Sequence, residues 1–366
     1  MRVAFDAHAL GTGAGGNESY VRAALEALAA HAPRIKPVPL IPPGWNGELP
    51  AGVEKHPLHV SNSWLRVALD LPYVLRGGDF DLFHAQYIAP PLCPCPMVVS
   101  IHDFVWKRHP ETLPPVTRSR LRALIPRTLK RVRRVFVLSE AMRKELGEFY
   151  GYPEDRIDVA PPAVHPRFSA ARDAANIERV RAKHDLPPDY ILYIGALQPR
   201  KNLCRLLEAF AQIRSEGFCH RLVVAGKEAW MTGEIRATVH RCGLEDALVF
   251  TGYVDDAELP TLIHGAAVFA YVSIYEGFGI PITEAMACGT PVLTSNTGAL
   301  AEVAADAALT CDPHDVDAIA EGLRRILAET ALQTRLREAG PRRASRYSLE
   351  NMAAALEEGY RRAREE

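Results

Sequence analysis

The residues whose types and spacing best suit chemistry stand in SIYEGFGIPITEAMACGTPVLTSNTGAL, residues 273–300. Glu276 and Glu284 lie eight apart and flank Gly277, Gly279 and Pro281. Pro281 suits the first turn of a helix, which predicts Glu276 in a loop and Glu284 near the helix start. Bare backbone at Gly277–Gly279 lets a ligand approach closely and offers it amide donors. A carboxylate such as Glu284 accepts two hydrogen bonds at once and so suits a ribose diol. Glu284 alone also reads as a favourable acid at a helix N-terminus. That reading leaves the rest of the string without a reason.

A second candidate is GTGAGGNESY, residues 11–20, where Gly11, Gly13 and Gly16 spell G-x-G-x-x-G. A dinucleotide site needs the first glycine at the strand end and an acid roughly 20 residues on for the ribose. Here His8, Ala9 and Leu10 intervene, and PRIKPVPLIPP (33–43) contains no acid. What remains is a glycine-rich loop whose amides, with the start of the next helix, suit an anion. A loop that simply needs positive φ explains the same glycines.

These residues need elements to hold them. VAFDA (3–7), DLFHAQ (81–86), MVVSIHD (97–103) and RVFVLS (134–139) read as buried strands, and 18–32 and 141–151 as helices, the second closed by Gly151. After the proline-rich APPAVHPRF and KHDLPPDY a second series begins: YILYIGAL, a helix from Asn202 to about Ser215, RLVVAGK, ALVFTGY, AAVFAYVS, TPVLTSN and ALTCD. The pattern predicts two α/β domains with parallel sheets. Their expected bounds are 1–165 and 189–345, with a linker at 166–188 and a closing helix at 346–366. Such a pair should leave a cleft facing the carboxyl ends of both sheets.

Composition is that of a soluble globular protein: 366 residues, 48% hydrophobic, 24% charged, net charge −1. The near-zero charge gives no support for nucleic-acid binding. Residues 1–165 carry 20 Lys and Arg against 16 Asp and Glu, and the remainder 23 against 28. The basic excess centres on TRSRLRALIPRTLKRVRR (117–134), eight cations and no acid. It reads as a solvated helical face, or as a surface for anionic lipid or a lipid-linked diphosphate. The seven cysteines are scattered, which predicts reduced thiols in a cytoplasmic protein. MRVAFDAHAL lacks the form of a signal peptide, and no run is long enough to span a bilayer. The expected location is cytoplasmic, with peripheral contact at the inner face of the membrane.

The E-x7-E string followed by A-C-G-T-P-V resembles the retaining family 4 glycosyltransferases of GT-B fold. GGNESYVRAAL, SIHDF, LSEAMRKEL, PPAVHPRF and GALQPRKNLCRLLEAF resemble that family's successive motifs in order, over nearly the whole chain. The I-H-D, P-R-K-N and GG-x-x-x-Y subset is most similar to bacterial mannosyltransferases and related polysaccharide-building enzymes. The resemblance implies two Rossmann-like domains and a last helix that crosses back onto the first. It implies that Arg200 and Lys201 neutralise a donor diphosphate. Many relatives carry an arginine directly after the strand glycine, where this chain has Ala196, so Arg200 is the expected substitute. By the same resemblance Glu284 binds the ribose and Glu276 the donor sugar. Phe278 and Gly279 offer amides to its hydroxyls beside Gly277 and Ile280, and Tyr253 and Val254 border the base. Gly15 and Gly16 face the diphosphate, and His102 and Asp103 line the acceptor side of the sugar. Read without the family, a lone His-Asp at a strand end is a satisfied structural pair.

Asp79-Phe80-Asp81 mimics the metal-binding D-x-D of the other glycosyltransferase fold, but it follows Gly77-Gly78 and opens a strand. Asp315-Val316-Asp317 reads as helix-capping acids. No catalytic metal and no cofactor are expected. The reading is a hexosyltransferase that uses a nucleotide sugar and retains configuration. GDP-mannose is the first choice of donor and a UDP-hexose the next, with a glycan or lipid-linked acceptor. An NAD(P)-dependent oxidoreductase and a non-catalytic sugar-binding protein are the alternatives from other classes.

Overall fold

The computed structural model describes residues 1–13, 15–169, 171–226 and 232–366. The chain forms two compact units: Met1–Ala163 with Tyr347–Glu366, and Val164–Arg346.

The first unit holds β1 (Arg2–Asp6), β2 (Lys36–Ile41), β3 (His56–Pro57), β4 (Leu82–Gln86), β5 (Met97–Ile101), β6 (Arg134–Val137) and β7 (Ile157–Val159). They make one parallel sheet in the order β3-β2-β1-β4-β5-β6-β7. Apart from Arg2, the central strands β1, β4 and β5 are buried along their whole length, with Asp6, His84, Gln86 and Ser100 the polar residues among apolar ones, as expected where helices cover both faces of such a sheet. Phe5, Phe83, Val98, Val99 and Phe136 have no exposed surface.

The stretch 33–43, read in the sequence only for the acid it lacks, contains β2. Two prolines disguise it. Lys36 donates its amide to the Met1 carbonyl at 2.8 Å. Alternation then turns Pro37 and Pro39 away from β1, toward the edge where β3 pairs only with Leu40 and Ile41. Each proline therefore removes a donor where the ladder has no use for one.

The helix Leu349–Glu365 belongs to this unit and packs along Gly16–His31. Its Tyr360 is fully buried, with its hydroxyl 2.6 Å from His84 Nδ1. Gly359 lies against the Phe136 ring, where a Cβ would sit 2.4 Å from Cζ, so only glycine lets the helix come this close. Arg134 is buried on β6 and pairs with Asp158 at 2.6 Å and Glu366 at 2.6 Å. Arg133 donates to the Ala363 carbonyl at 2.8 Å. Of the basic run 117–134, Arg134 is thus buried and Arg133 half-buried, and both are engaged in anchoring the C-terminus.

The second unit holds β8 (Tyr190–Ile194), β9 (Arg221–Ala225), β10 (Leu248–Gly252), β11 (Val268–Tyr271), β12 (Val292–Ser295) and β13 (Leu309–Cys311). They are parallel, in the order β10-β9-β8-β11-β12-β13. Lys227, at the end of the RLVVAGK stretch, lies outside the described residues. Within the segment expected as a linker, Ala174–Lys183 forms a helix capped by Asp173 and packed on Leu259–Gly265 of this unit. Asn176 Nδ2 donates to Thr261 Oγ1 at 3.1 Å.

Both sheets reverse direction once. In the first the chain winds outward from β1 through β2 and β3, then resumes on the other side at β4. In the second the same reversal falls between β8 and β11. The crevice beyond the carboxyl ends of the two strands flanking a reversal is where such sheets bind ligands. Among the described residues no helix is long and apolar enough to cross a membrane.

Candidate active site

At the reversal of the second sheet, the loop after β8 meets the loop after β11. Pro199–Lys201 makes a single helical turn, and Asn202 follows in the left-handed region at φ 62 before helix Leu203–Ser215. Asparagine tolerates that conformation better than most residues. Its buried amide donates to the Val272 carbonyl at 2.9 Å and the Pro313 carbonyl at 2.6 Å. The Ile274 amide donates to the Arg200 carbonyl at 2.8 Å. The two loops are thereby fixed to each other through their backbones.

On this base Arg200 Nη1 lies 2.8 Å from Glu276 Oε2 and Lys201 Nζ 2.5 Å from Oε1. The Tyr271 hydroxyl donates to Oε1 at 3.0 Å. Glu276 shows only 10% of its side chain to solvent, against 16% for Arg200 and 11% for Lys201. Burial pushes its pKa up, but Arg200 and then Lys201 overcome that and hold it at about 2. Glu276 is a permanent anion with both oxygens engaged, a poor proton donor and a good hydrogen-bond acceptor.

Glu284 is the same residue type in the opposite state. It occupies the second turn of helix Ile280–Ala287, which Pro281 opens. No described residue hydrogen-bonds its carboxyl. Burial pushes its pKa up to about 8; Arg167 lowers it in part, and Asp256 adds to the rise. Gly279 precedes this helix at φ 102, and a Cβ there would lie 2.5 Å from Leu300 Cδ2. Gly277 and Phe278 are buried beside it and Ile280 is half-buried. Tyr253 and Val254 follow β10, two strands from β8; Tyr253 is 62% exposed and Val254 is buried. Arg200, Lys201, Glu276 and Gly277–Ile280 share the reversal, whereas Tyr253 and Val254 stand apart from it on the sheet.

In the first unit His102 follows β5 and is buried. Its Nδ1 is 2.8 Å from Asn17 Oδ1 and its Nε2 2.8 Å from Gln86 Oε1. Burial, and then His8, push its pKa down to about 3, so the ring is neutral and carries one proton. Gln86 Nε2 is buried without a partner among the described residues. Turning that amide over supplies the donor that a neutral His102 needs at Nε2 and leaves Nδ1–H for Asn17. His102 is thus fully engaged by the fold. Asp103 is half-exposed and accepts the Val105 amide at 3.2 Å.

The glycine loop holds an anion that the sequence reading did not consider. Glu18 accepts the Gly11 amide at 2.9 Å through Oε1 and the Gly13 amide at 3.0 Å through Oε2. Arg22 donates to the same carboxylate at 2.8 Å. Gly15 caps helix Gly16–His31 at φ 55, and both Gly15 and Gly16 are exposed. Two acids set aside as metal decoys have structural partners. Asp81 accepts the Arg2 amide at 2.7 Å, and Asp315 caps its helix through the Asp317 and Ala318 amides. Among the described residues no three His, Cys, Asp or Glu side chains gather as a metal site.

Residues 14–168 match the family described as Glycosyltransferase Family 4, and residues 176–343 match Glycosyl transferases group 1. The chain is 32% identical to the O-antigen chain mannosyltransferase B of Escherichia coli over 291 residues, 79% of this chain and 74% of that protein. The chain belongs to the family 4 glycosyltransferases. This glycosyltransferase is also 29% identical to the E. coli serotype-specific mannosyltransferase WbdA over 232 residues, 62% of its own length and 28% of that longer protein. Among solved structures it resembles the sucrose-phosphate synthase of Thermosynechococcus elongatus, with TM-score 0.78, 23% identity and 99% and 98% of the two chains covered. It also resembles Anabaena HepE in complex with UDP and glucose, with TM-score 0.77, 18% identity and 99% and 100% covered. The two parallel sheets are those of the GT-B fold.

Sequence reasoning about this glycosyltransferase missed Tyr271, which completes the shell of Glu276, and Glu18, which fills the glycine loop. It also missed Asp6 and His8 at the end of β1. Asn202 carried the one usable signal, an asparagine directly before a helical run.

Proposed function

We propose that this glycosyltransferase moves mannose from GDP-mannose to a glycan or lipid-linked acceptor in polysaccharide assembly, with retention of anomeric configuration. The observation that carries the reading is the Arg200–Lys201–Glu276 cluster at the reversal of the second sheet. Two cations fixed by a buried anion can take the negative charge that develops on a departing diphosphate without reorganising. Glu276, with its cations drawn toward the diphosphate, accepts hydrogen bonds from the sugar. Its low pKa and engaged oxygens make it a poor nucleophile, which favours same-face displacement. In that displacement the leaving diphosphate takes the acceptor proton. Glu284, with no hydrogen bond of its own from the described residues, accepts from the ribose diol. Gly15 and Gly16 offer amides to the diphosphate, and His102 and Asp103 serve the acceptor side of the sugar. No metal or cofactor is needed in this scheme.

The mannose assignment follows the two E. coli relatives named as mannosyltransferases. The second reading, a UDP-hexose donor, is favoured by the likeness to HepE with UDP and glucose bound. The oxidoreductase alternative is disfavoured by the strand beside β1: β2 ends at Ile41 and Pro42, with no acid for a dinucleotide ribose. A thermal-shift panel of GDP, UDP, ADP and NAD separates these readings. GDP is expected to stabilise most; stabilisation by UDP alone reassigns the donor, and stabilisation by NAD alone overturns the reading.

We also propose peripheral contact with anionic lipid through the first unit. On and just beyond helix Pro115–Leu129, Arg122, Arg127, Lys130 and Arg131 are exposed. Trp64 and Leu69 on a neighbouring helical stretch are 50% and 65% exposed, and the Arg120 guanidinium lies 5.6 Å from the Trp64 ring centre. Basic and apolar side chains side by side suit a bilayer surface carrying negative charge. Co-sedimentation with phosphatidylglycerol vesicles but not with neutral ones is the expected result. Equal binding to both, or to neither, would remove this part of the proposal.

A further inference from the structure

Asp6 closes β1 fully buried, and Arg66 places Nη1 2.7 and 2.8 Å from its two oxygens. Burial pushes the Asp6 carboxyl up, but the Arg66 guanidinium reverses this and holds it well below the usual carboxylate range. An ionised carboxylate can only accept hydrogen bonds. The 3.0 Å contact between Asp6 Oδ1 and His8 Nδ1 therefore puts the ring proton on Nδ1. In the neutral ring the lone pair is then on Nε2, on the side away from Asp6, as with any imidazole whose tautomer a carboxylate fixes. No described residue hydrogen-bonds Nε2, and 35% of the His8 side chain is exposed.

The position of this pair is as telling as its chemistry. His8 lies two residues beyond β1, one of the two strands that flank the reversal of the first sheet. Gln86 ends β4, the other flanking strand, and His102 follows β5. Of the two histidines, His102 has both nitrogens taken, whereas His8 offers an oriented acceptor atom at the ligand-binding end of the sheet. An outward lone pair calls for a ligand that donates, such as a hydroxyl, and disfavours a phosphate oxygen.

We propose that His8 contacts the acceptor: its Nε2 accepts a hydrogen bond from an acceptor hydroxyl next to the one that is glycosylated, and so holds the attacking oxygen in register for transfer while that oxygen's own proton stays free to leave with the diphosphate. Asp6 and Arg66 act through His8 as positioning residues. The proposal rests on the glycosyltransfer reading and adds an acceptor-binding residue to it. Nothing is oxidised or reduced at His8, and the acceptor proton still leaves with the diphosphate.

The test uses the full chain, GDP-mannose, and the mannose-terminated oligosaccharide that the wild type elongates. His8→Asn keeps a donor for Asp6 but has no atom at the Nε2 position; His8→Gln reaches that position with its amide. His8→Asn is expected to raise the acceptor KM about tenfold, the worth of one net hydrogen bond. His8→Gln is expected to recover part of that loss. Both should keep the wild-type stabilisation by GDP, because the diphosphate cations lie in the other unit. An unchanged acceptor KM in His8→Asn, or an equal loss of GDP stabilisation, overturns the proposal. A wild type that no nucleoside diphosphate stabilises would instead defeat the donor reading, and the GDP control reports that separately.

Discussion

Two glutamates eight residues apart show how environment divides one side-chain type into two tools. Glu276 sits at about 2 because two cations outweigh its burial, and Glu284 at about 8 because burial is only partly offset. The second value has a sign that can be measured. Below pH 8 Glu284 is neutral in the free protein, while a ribose diol is bound best by the ionised form, so binding releases a proton. GDP affinity measured by calorimetry should rise from pH 6 to pH 8, by at most about tenfold per unit, and level off above. Glu284→Gln should weaken binding and flatten the profile. A wild-type profile as flat as the variant's would show that Glu284 does not meet the ligand. Gly279 gives a stability prediction at the same scale. At φ 102 and against Leu300, alanine should cost at least about 1 kcal/mol, read as a lower urea midpoint at unchanged slope.

At the scale of elements, the C-terminal helix is structural to the first unit. Met352, Leu356 and Tyr360 are buried in it, each worth about 1.5–3 kcal/mol of apolar burial. A buried relay runs from Tyr360 through His84 to Ser100 and Tyr20, at 2.6, 2.7 and 2.9 Å. Deleting 347–366 should leave the first unit open to limited proteolysis, while Tyr360→Phe should cost only about 1–3 kcal/mol by orphaning one side of His84. A truncated chain as resistant as the full one would contradict the packing. Elements were legible in the sequence where apolar runs are continuous, as in β8 and β11. They were hidden where local chemistry pointed elsewhere. Pro37 and Pro39 masked β2, prolines at both ends masked helix Ala174–Lys183, and Arg133 and Arg134 gave no sign that their partners lie at the far end of the chain.

At the scale of the molecule, the two units are variations on one plan, each a parallel sheet with a single reversal of strand order. The cluster of the second unit was legible because its residues lie in two short strings, P-R-K-N and the stretch from Glu276 to Glu284. The chemistry of the first unit was less so. Asp6 meets Arg66 across sixty residues of chain, and His102 meets Asn17 across eighty-five, distances at which spacing carries no signal. A cation pair doing the work of a metal predicts full turnover in excess EDTA; activity lost there and restored only by magnesium or manganese would replace that pair with an ion.

The central claim is that the anion at Glu276, with Arg200 and Lys201 upon it, organises the donor for transfer. Its most direct test is the initial rate of sugar transfer by Glu276→Ala at saturating GDP-mannose, beside the variant's melting temperature. The expected result is a folded protein whose kcat falls by at least about a hundredfold, the scale on which loss of one preorganised charge-stabilising group is felt. Near-normal turnover by a folded Glu276→Ala would contradict the account.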